Sequence, residues 1–523
     1  MPVPTPLSFA PAIDCQAQAE IDAKQPHPHK KKIFIFCDGT GNKFIDTSSE
    51  KNGGNSNVVK LYTTLRVTSE QVAYYHPGVG TMGDPAIRRA VPRYWSKVKG
   101  LAFGAGFTDN VLDAYRYLME VYNDGDDIYI FGFSRGAYTA RALGGMLHGY
   151  GLLCRGNEGH VRYAWNMFHN AVAVRRGLLK KMPHARGGKH AHSIKHDSAF
   201  AETYSRKVII RFMGLWDTVS SVGWIYDPVR LLDMAQNPIV QVGRHAVSID
   251  ERRAYYRDNL WGPPVDIDDP EWPKELRDQG IRQDIAQVWF PGVHSDVGGS
   301  YPQSEAAPAN EALRWMIGEL QSQGAELCQE RVDMVLGTPS GVYSADNLYT
   351  PPPKPDHCIH QSLNRAWWLL QAFPQQYYDK EDRKIKWRVP YGVSRTIPDG
   401  AYIHGSAVRR INSTVPGEAP YRPRNLRRDD LEPLQPSQAV TTANLSGCFL
   451  YAPKSSTSAR PVKTRGRIPR LVLGWISFTL FWLFVTAVVL GVCFLLFLAI
   501  AFVAHTRGFR DLFRWLSYIW NRL

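Results

Sequence analysis

Ser134 sits at the centre of Gly132-Phe133-Ser134-Arg135-Gly136, a G-x-S-x-G pattern. An apolar run, Ile128 to Phe131, leads into it and a small-residue stretch, AYTARALGGML, follows, so the pattern predicts a strand, a sharp turn and a helix. Such a turn lifts the serine hydroxyl above the end of a sheet. The helix N-terminus behind it favours negative charge developing on a substrate oxygen. The chemistry this would serve is acyl transfer, in which a base takes the serine proton and a carboxylate orients the base. The five letters also occur in glycine-rich turns that only pack closely, and it is the flanking elements that favour a catalytic serine.

In hydrolases built on such a turn the acid and then the base follow the serine in the chain, at later strand ends. Lys207 to Leu215 (KVIIRFMGL) is β-rich and ends at Trp216-Asp217-Thr218-Val219, which puts Asp217 where a triad acid belongs. The alternative is an Asp that caps the following turn. Asp284 to Phe290 (DIAQVWF) runs into Pro291-Gly292-Val293-His294-Ser295-Asp296-Val297-Gly298-Gly299, and His294 is the expected base. Of the 16 histidines, His148, His245 and His404 are its main competitors, but none follows an apolar strand into a glycine-rich loop. Asp296 is close enough to His294 in the chain to organise the loop, and stands as the second candidate acid.

One oxyanion donor is expected from the backbone N–H of Arg135, the residue after the serine. The other is expected from the loop after an earlier strand. Lys32 to Cys37 (KIFIFC) is a short apolar strand that stops at Asp38-Gly39-Thr40-Gly41-Asn42, which makes Gly39 and Thr40 the candidates. Asp38 is expected to shape that loop through hydrogen bonds to the backbone.

Between these points, Thr108 to Tyr122 has a helical apolar face of Val111, Leu112, Tyr115, Leu118, Met119 and Tyr122, with Thr108 or Asp109 as its cap. A turn at Asn123-Asp124-Gly125-Asp126 leads into the strand before Ser134. The expected fold class is therefore α/β: a mostly parallel sheet of α/β-hydrolase type with helical and loop insertions, followed by a C-terminal membrane helix or hairpin.

Taken together, FCDGTGN (36–42), PGVGT (77–81), GDDIYIFGFSRGAYTARALGGML (125–147), FMGLWDTV (212–219) and FPGVHSDVGGSY (290–301) resemble the catalytic domain of the Tle1-type phospholipases. These are antibacterial lipase effectors delivered by the type VI secretion system. The resemblance covers roughly 30 to 412. It implies a triad of Ser134, Asp217 and His294, no metal and no cofactor. It also implies release of fatty acid from glycerophospholipids of a rival's membrane by A1 or A2 cleavage, in the target-cell periplasm. Its implied partners are a phospholipid bilayer, a cognate immunity protein, and a secretion spike or chaperone.

With 523 residues, 44% hydrophobic and 21% charged, the chain is long enough for one large α/β domain with insertions. The seven cysteines are scattered with no CxxC pair, which excludes a recognisable zinc or redox motif and suggests mostly reduced, buried thiols. Of the net charge of +14, nine units lie after residue 451, around an apolar segment. This placement favours an anionic membrane surface over nucleic acid, for which no zinc finger, RRM-like signature or basic zipper is present.

Residues 471–504 carry no charge over 34 positions, more than the roughly 20 needed to span a bilayer. As one helix they would be about 50 Å long, so either a tilted span or a hairpin is expected. Basic residues on both flanks leave the orientation open. The organisation read from the sequence is an arm over 1–29 without a cleavable signal, a catalytic domain over 30–412 and a Pro/Ser/Arg-rich tether over 413–470. The membrane segment over 471–504 and an amphipathic tail over 505–523 complete it. Insertions are expected at 155–206, basic and His-rich, as a lid or a plain surface insertion, and at about 300–386, as a cap. Two alternatives stay open: an anchored esterase acting on lysophospholipid or another acyl ester in its own cell, and a non-catalytic membrane-binding pseudo-hydrolase.

Overall fold

The computed structural model describes residues 30–39, 42, 54–78, 106–175, 199–219, 223–224, 227–228, 236–254, 256–336, 359–364, 367–368, 371, 375–379, 384–413, 421–434, 441–445, 447–453 and a few positions between 479 and 519. They fall into two compact units, one of 1–363 with 393–459 and one of 364–392 with 460–523.

In the first unit the short apolar runs form strands and the periodic runs form helices around them. Chain order is β1 (Lys32–Cys37), α1 (Asn57–Thr64), β2 (Gln71–His76), α2 (Phe107–Val121), β3 (Asp127–Phe133) and α3 (Arg135–Tyr150). There follow β4 (Ile210–Trp216), β5 (Val240–Ser248), β6 (Asp284–Phe290), α4 (His294–Gly298), α5 (Ala307–Ser322), β7 (Tyr402–Ile403), β8 (Leu431–Pro433) and β9 (Phe449–Tyr451). Among the described residues these nine strands make one sheet, in the order β8-β9-β7-β6-β5-β4-β3-β1-β2. From β2 to β7 every pairing is parallel, and β9 runs antiparallel to β7 and to β8.

Alternation along the strands builds two apolar layers. Ile33 and Ile35 of β1 and Ile128 and Ile130 of β3 face a layer with α2 and α3. Phe34, Phe36, Tyr129, Phe131 and Phe133 face the other, with α1 and α5. Phe34 stacks on Tyr129 at 4.5 Å and Phe36 on Phe131 at 5.0 Å, so an aromatic stripe runs under one face of the central strands. A sheet covered on both faces suits parallel strands whose sequences are apolar throughout.

The order β2-β1-β3 reverses direction at β1, so the carboxyl ends of β1 and β3 flank a topological switch point. Open α/β sheets bind ligands at such a point. Ser134 follows β3, and Asp38 and Gly39 follow β1.

Several expectations are corrected here. The stretch read as a tether from 413 to 470 instead supplies β8 and β9 to the sheet, and Ala443, Leu445 and Cys448 to its core. β8 (LEP) and β9 (FLY) are three residues each, too short to show the long apolar runs that mark central strands, and Pro433 sits on the edge strand β8. The helix near Glu311 is not a cap, because Leu313, Met316 and Ile317 of α5 are buried in the sheet's aromatic layer. In the insertion, a helix over Val161–Arg175 packs Val161, Ala164, Trp165 and Phe168 into the other layer, and 152–153 pairs with 205–206. The His-rich run His184, His190, His192 and His196 lies outside the described residues. α2 begins one residue early and is entered through left-handed Gly106 with no side-chain cap, in place of the expected Thr108 or Asp109. Cys37, Cys328 and Cys448 are free, whereas Cys154 is disulfide-bonded.

In the second unit, Gln375–Asp379 and Lys384–Arg388 form an antiparallel hairpin. No helix among the described residues is long and apolar enough to cross a membrane. The 1–29 arm lies outside the described residues, as do 471–504 and 505–523 apart from isolated positions.

Candidate active site

Ser134 occupies a backbone conformation that non-glycine residues rarely adopt, φ 59° and ψ −122°, between the end of β3 and the start of α3. The flanking glycines make that turn possible by close approach. A Cβ on Gly132 would stand 2.5 Å from Cα of Ala137, and one on Gly136 would stand 2.1 Å from the Cys37 carbonyl oxygen at the end of β1. The N-terminus of α3, with the Arg135 amide, is thereby pressed onto the switch point.

The adjacent strand end holds the turn in place. The Ser134 amide donates to the Trp216 carbonyl at 3.0 Å, and the Val219 amide reaches the Ser134 carbonyl at 3.4 Å. Asp217, the next residue after β4, also has positive φ (40°). Its Oδ2 is 2.5 Å from Nδ1 of His294, and both side chains are almost wholly buried. The predicted Asp217 and His294 therefore meet, although 77 residues separate them.

The other ring nitrogen of His294, Nε2, is buried and has no hydrogen-bond partner among the described residues. Ser134 and His294 are not hydrogen-bonded to each other. The Phe133 ring lies against the imidazole at 4.7 Å between centroids, which places the ring beside the residue preceding Ser134. The Tyr256 ring meets it edge-on at 4.8 Å.

Electrostatics assign states to the pair. Burial alone would raise the Asp217 carboxyl, but Arg395 and His294 overturn that effect and hold it well below the usual carboxylate range. Burial lowers His294 despite the opposing pull of Asp217. The result is a neutral imidazole oriented by an ionised carboxylate, with an open nitrogen.

Three carboxylates organise the loop that carries His294. Asp250 accepts from the Gly292 amide at 2.7 Å, Asp296 from the Val293 amide at 3.0 Å and Glu251 from the His294 amide at 3.2 Å. Asp296, the second candidate acid, turns away from His294. Its Oδ1 meets Nδ1 of His360 at 2.6 Å and its Oδ2 accepts from the His360 amide.

At the β1 end, Asp38 is buried and accepts from the Gly39 amide at 2.6 Å and from the Tyr75 hydroxyl at 2.9 Å. The Gly39 N–H is therefore already occupied, which argues against it as an oxyanion donor. Thr40 lies outside the described residues. The competing histidines are structural. His245, inside β5, accepts from the Thr218 amide, and His404 caps the helix Gly405–Asn412 and stacks on Phe290. His148 lies 3.9 Å from Glu271 on the far end of α3.

The sequence reading missed Arg395, Asp250, Glu251 and His360. Asp250 and Glu251 carry a signal, since they stand just past a strand end like Asp38 and Asp217. That strand, β5, is masked in sequence by Arg244 and His245. Both are buried, with Arg244 neutralised by Glu319 at 2.6 Å and Asp284 at 2.8 Å.

A model of the type VI secretion phospholipase effector Tle1-like catalytic domain matches residues 31–319. The chain belongs to this family. The Tle1-like segment contains β1 to β6 and α1 to α4, and with them Ser134, Asp217 and His294. Arg395 and the strands β7 to β9 lie beyond it. The chain is also 34% identical over 246 residues to the uncharacterized protein YEL023C of Saccharomyces cerevisiae, which covers 45% of this chain and 33% of that one. It thus spans about a third of the length of that relative. A crystal structure of an uncharacterized protein from Pseudomonas aeruginosa aligns with 61% of this chain and 49% of its own, at 18% identity and a TM-score of 0.30.

Proposed function

We propose that this Tle1-like chain is a serine lipase of α/β-hydrolase type that cleaves the acyl ester of membrane glycerophospholipids, with phospholipase A1 or A2 outcome. The observation that carries the reading is the buried Asp217–His294 pair with Nε2 open, beside a serine in a strained turn at a helix N-terminus. Ser134 Oγ attacks the ester carbonyl carbon while His294 Nε2 takes its proton. The tetrahedral oxyanion is stabilised by the Arg135 amide and the N-terminus of α3. Collapse breaks the ester C–O bond, and the lysophospholipid oxygen leaves with the proton from His294. Water, deprotonated by His294, then releases the fatty acid and restores Ser134.

Family membership supports a membrane lipid as substrate. It also supports delivery as an antibacterial effector into a target-cell periplasm, with an immunity protein and a secretion spike or chaperone as partners. The uncharged run over 471–504 supports a bilayer anchor. A second reading keeps the chemistry but places it in the protein's own cell, on lysophospholipid or another acyl ester. The likeness to a yeast protein favours it.

The test is fatty acid release from phosphatidylethanolamine and phosphatidylglycerol vesicles by wild type and Ser134→Ala. Loss of about 10³-fold or more in the variant is expected. Equal release by both proteins rejects the enzymatic reading. Activity confined to soluble short esters moves the assignment to the second reading.

A further inference from the structure

We propose that Arg395 is a positioning residue for this chemistry: its guanidinium fork fixes the Asp217 carboxylate and, through it, the imidazole of His294. The proposal rests on the reading of Ser134, His294 and Asp217 as nucleophile, base and orienting acid.

The two residues are joined by both oxygens. Arg395 Nη1 donates to Asp217 Oδ1 at 2.5 Å and Nη2 to Oδ2 at 3.0 Å. Planar, bidentate pairing of this kind fixes orientation as well as distance. The fork is itself held at the end of β5, with Nη1 on the Ser248 hydroxyl at 2.7 Å and Nη2 on the Tyr256 carbonyl at 2.6 Å. Asn425 ties the Arg395 carbonyl to that of Ile249 by donating to both. Among the described residues the other donor to Asp217, besides His294, is the Ser248 amide, at 2.9 Å on Oδ1. The carboxylate therefore has one free direction, toward Nδ1 of His294. Both charged side chains are at most 4% exposed.

The pairing has a second consequence, for charge. A buried carboxylate standing alone would make the adjacent imidazole much more basic and would itself be costly. Arg395 offsets that charge and leaves the hydrogen bond, so Asp217 orients His294 while burial keeps the imidazole low. The other charged or titratable groups facing this pair are Arg253, which lowers His294, and Glu251, which raises it. Tyr256 stands against the imidazole, Asp258 faces Arg395 and His245 lies near Asp217. None of them bridges Asp217 as Arg395 does.

The experiment is an NMR titration of the His294 ring in the full chain, beside kcat and KM for fatty acid release. Arg395→Met is expected to raise the His294 pKa, to move the acid limb of the rate profile to higher pH, and to lower kcat about 100-fold with little change in KM. Arg395→Lys retains the charge without the fork, so it is expected to return the His294 pKa close to wild type while kcat stays low. An unchanged His294 titration in Arg395→Met, with kcat within about twofold of wild type, overturns the proposal. Should Arg395→Met fail to fold, Ser248→Ala loosens the fork without stranding a charge. It is expected to lower kcat at unchanged circular dichroism, and an unchanged kcat again overturns the proposal. The titration needs no turnover, so failure of the enzymatic reading shows separately, as equal release by wild type and Ser134→Ala.

Discussion

Asp296 pairs with His360: the Oδ1 of one and the Nδ1 of the other are 2.6 Å apart, and the Tyr301 ring stacks on the imidazole at 3.6 Å. Its carboxylate also holds the Val293 amide, so it shapes the turn before His294 without touching the His294 ring. Asp217 touches the ring directly. Asp296→Asn is therefore expected to keep kcat within about tenfold of wild type, while Asp217→Asn lowers it by about 10⁴-fold, because only the latter presents the wrong tautomer to the base. Ester hydrolysis by the two variants side by side checks this, and comparable losses would return Asp296 to candidacy as the acid.

Gly136→Ala tests the close approach of α3 to β1. The new methyl would meet the Cys37 carbonyl oxygen at 2.1 Å and that of Asp38 at 2.5 Å, both backbone atoms that cannot rotate away. The helix must shift, which displaces the Ser134 turn. A loss of about 1–3 kcal/mol in stability is expected from overpacking, together with a fall in activity. Thermal unfolding and the vesicle assay report the two effects, and a variant indistinguishable from wild type in both would contradict the geometry.

Asp38→Ala removes the acceptor for the Gly39 amide and the Tyr75 hydroxyl. The side chains of Asn42, at 3.4 Å, and Ser56 also bond this carboxylate, so leaving its donors unpaired is expected to cost about 2–5 kcal/mol, and Tyr75→Phe, which removes one partner, only about 1 kcal/mol. Urea unfolding of both variants checks the ranking. A larger loss for Tyr75→Phe would mean that the hydroxyl, and not the carboxylate, organises the loop after β1.

His245 and His404 make stability depend on pH. Burial pushes both down to about 3, with Arg141 adding to the effect at His245 and Arg409 at His404. An unfolded histidine takes up its proton near pH 6.5, so between that value and about 3 the unfolded chain binds more protons than the folded one. The stability contributed by keeping these rings neutral is present above about pH 6.5 and declines as the pH falls. His404→Asn retains a capping acceptor for the Ser406 amide and removes the titration. It is expected to be less stable than wild type at pH 7.5, through loss of the stack on Phe290, and to close that gap at pH 4.5. Parallel urea midpoints at the two pH values would refute the assignment.

The central sheet was legible in the sequence wherever a strand was short, apolar and closed by a polar turn. Lys32–Cys37 and Asp284–Phe290 have the bounds that their composition implies, and Ser134, Asp217 and His294 each stand past such a strand. What composition concealed was structure stabilised by pairing. β5 is buried along its whole length but contains Arg244 and His245, whose partners Glu319, Asp284, Thr218 and Gln287 come from elsewhere in the chain. The edge strand β8 and its neighbour β9 have three residues each, too few to show a period. Arg395 sits in a polar stretch with no local pattern, and only the third dimension connects it to Asp217.

The bridge between Asp217 and Arg395 spans 178 residues of chain. Closing so long a loop carries an entropic penalty that only an already formed sheet can offset. During synthesis the carboxylate leaves the ribosome well ahead of its counter-ion, and every shorter nascent product lacks the cation altogether. The Asp217 carboxylate therefore gains its buried counter-ion only once the chain has been made through Arg395, and a product cut short of that residue would carry the Asp217–His294 pair unbridged.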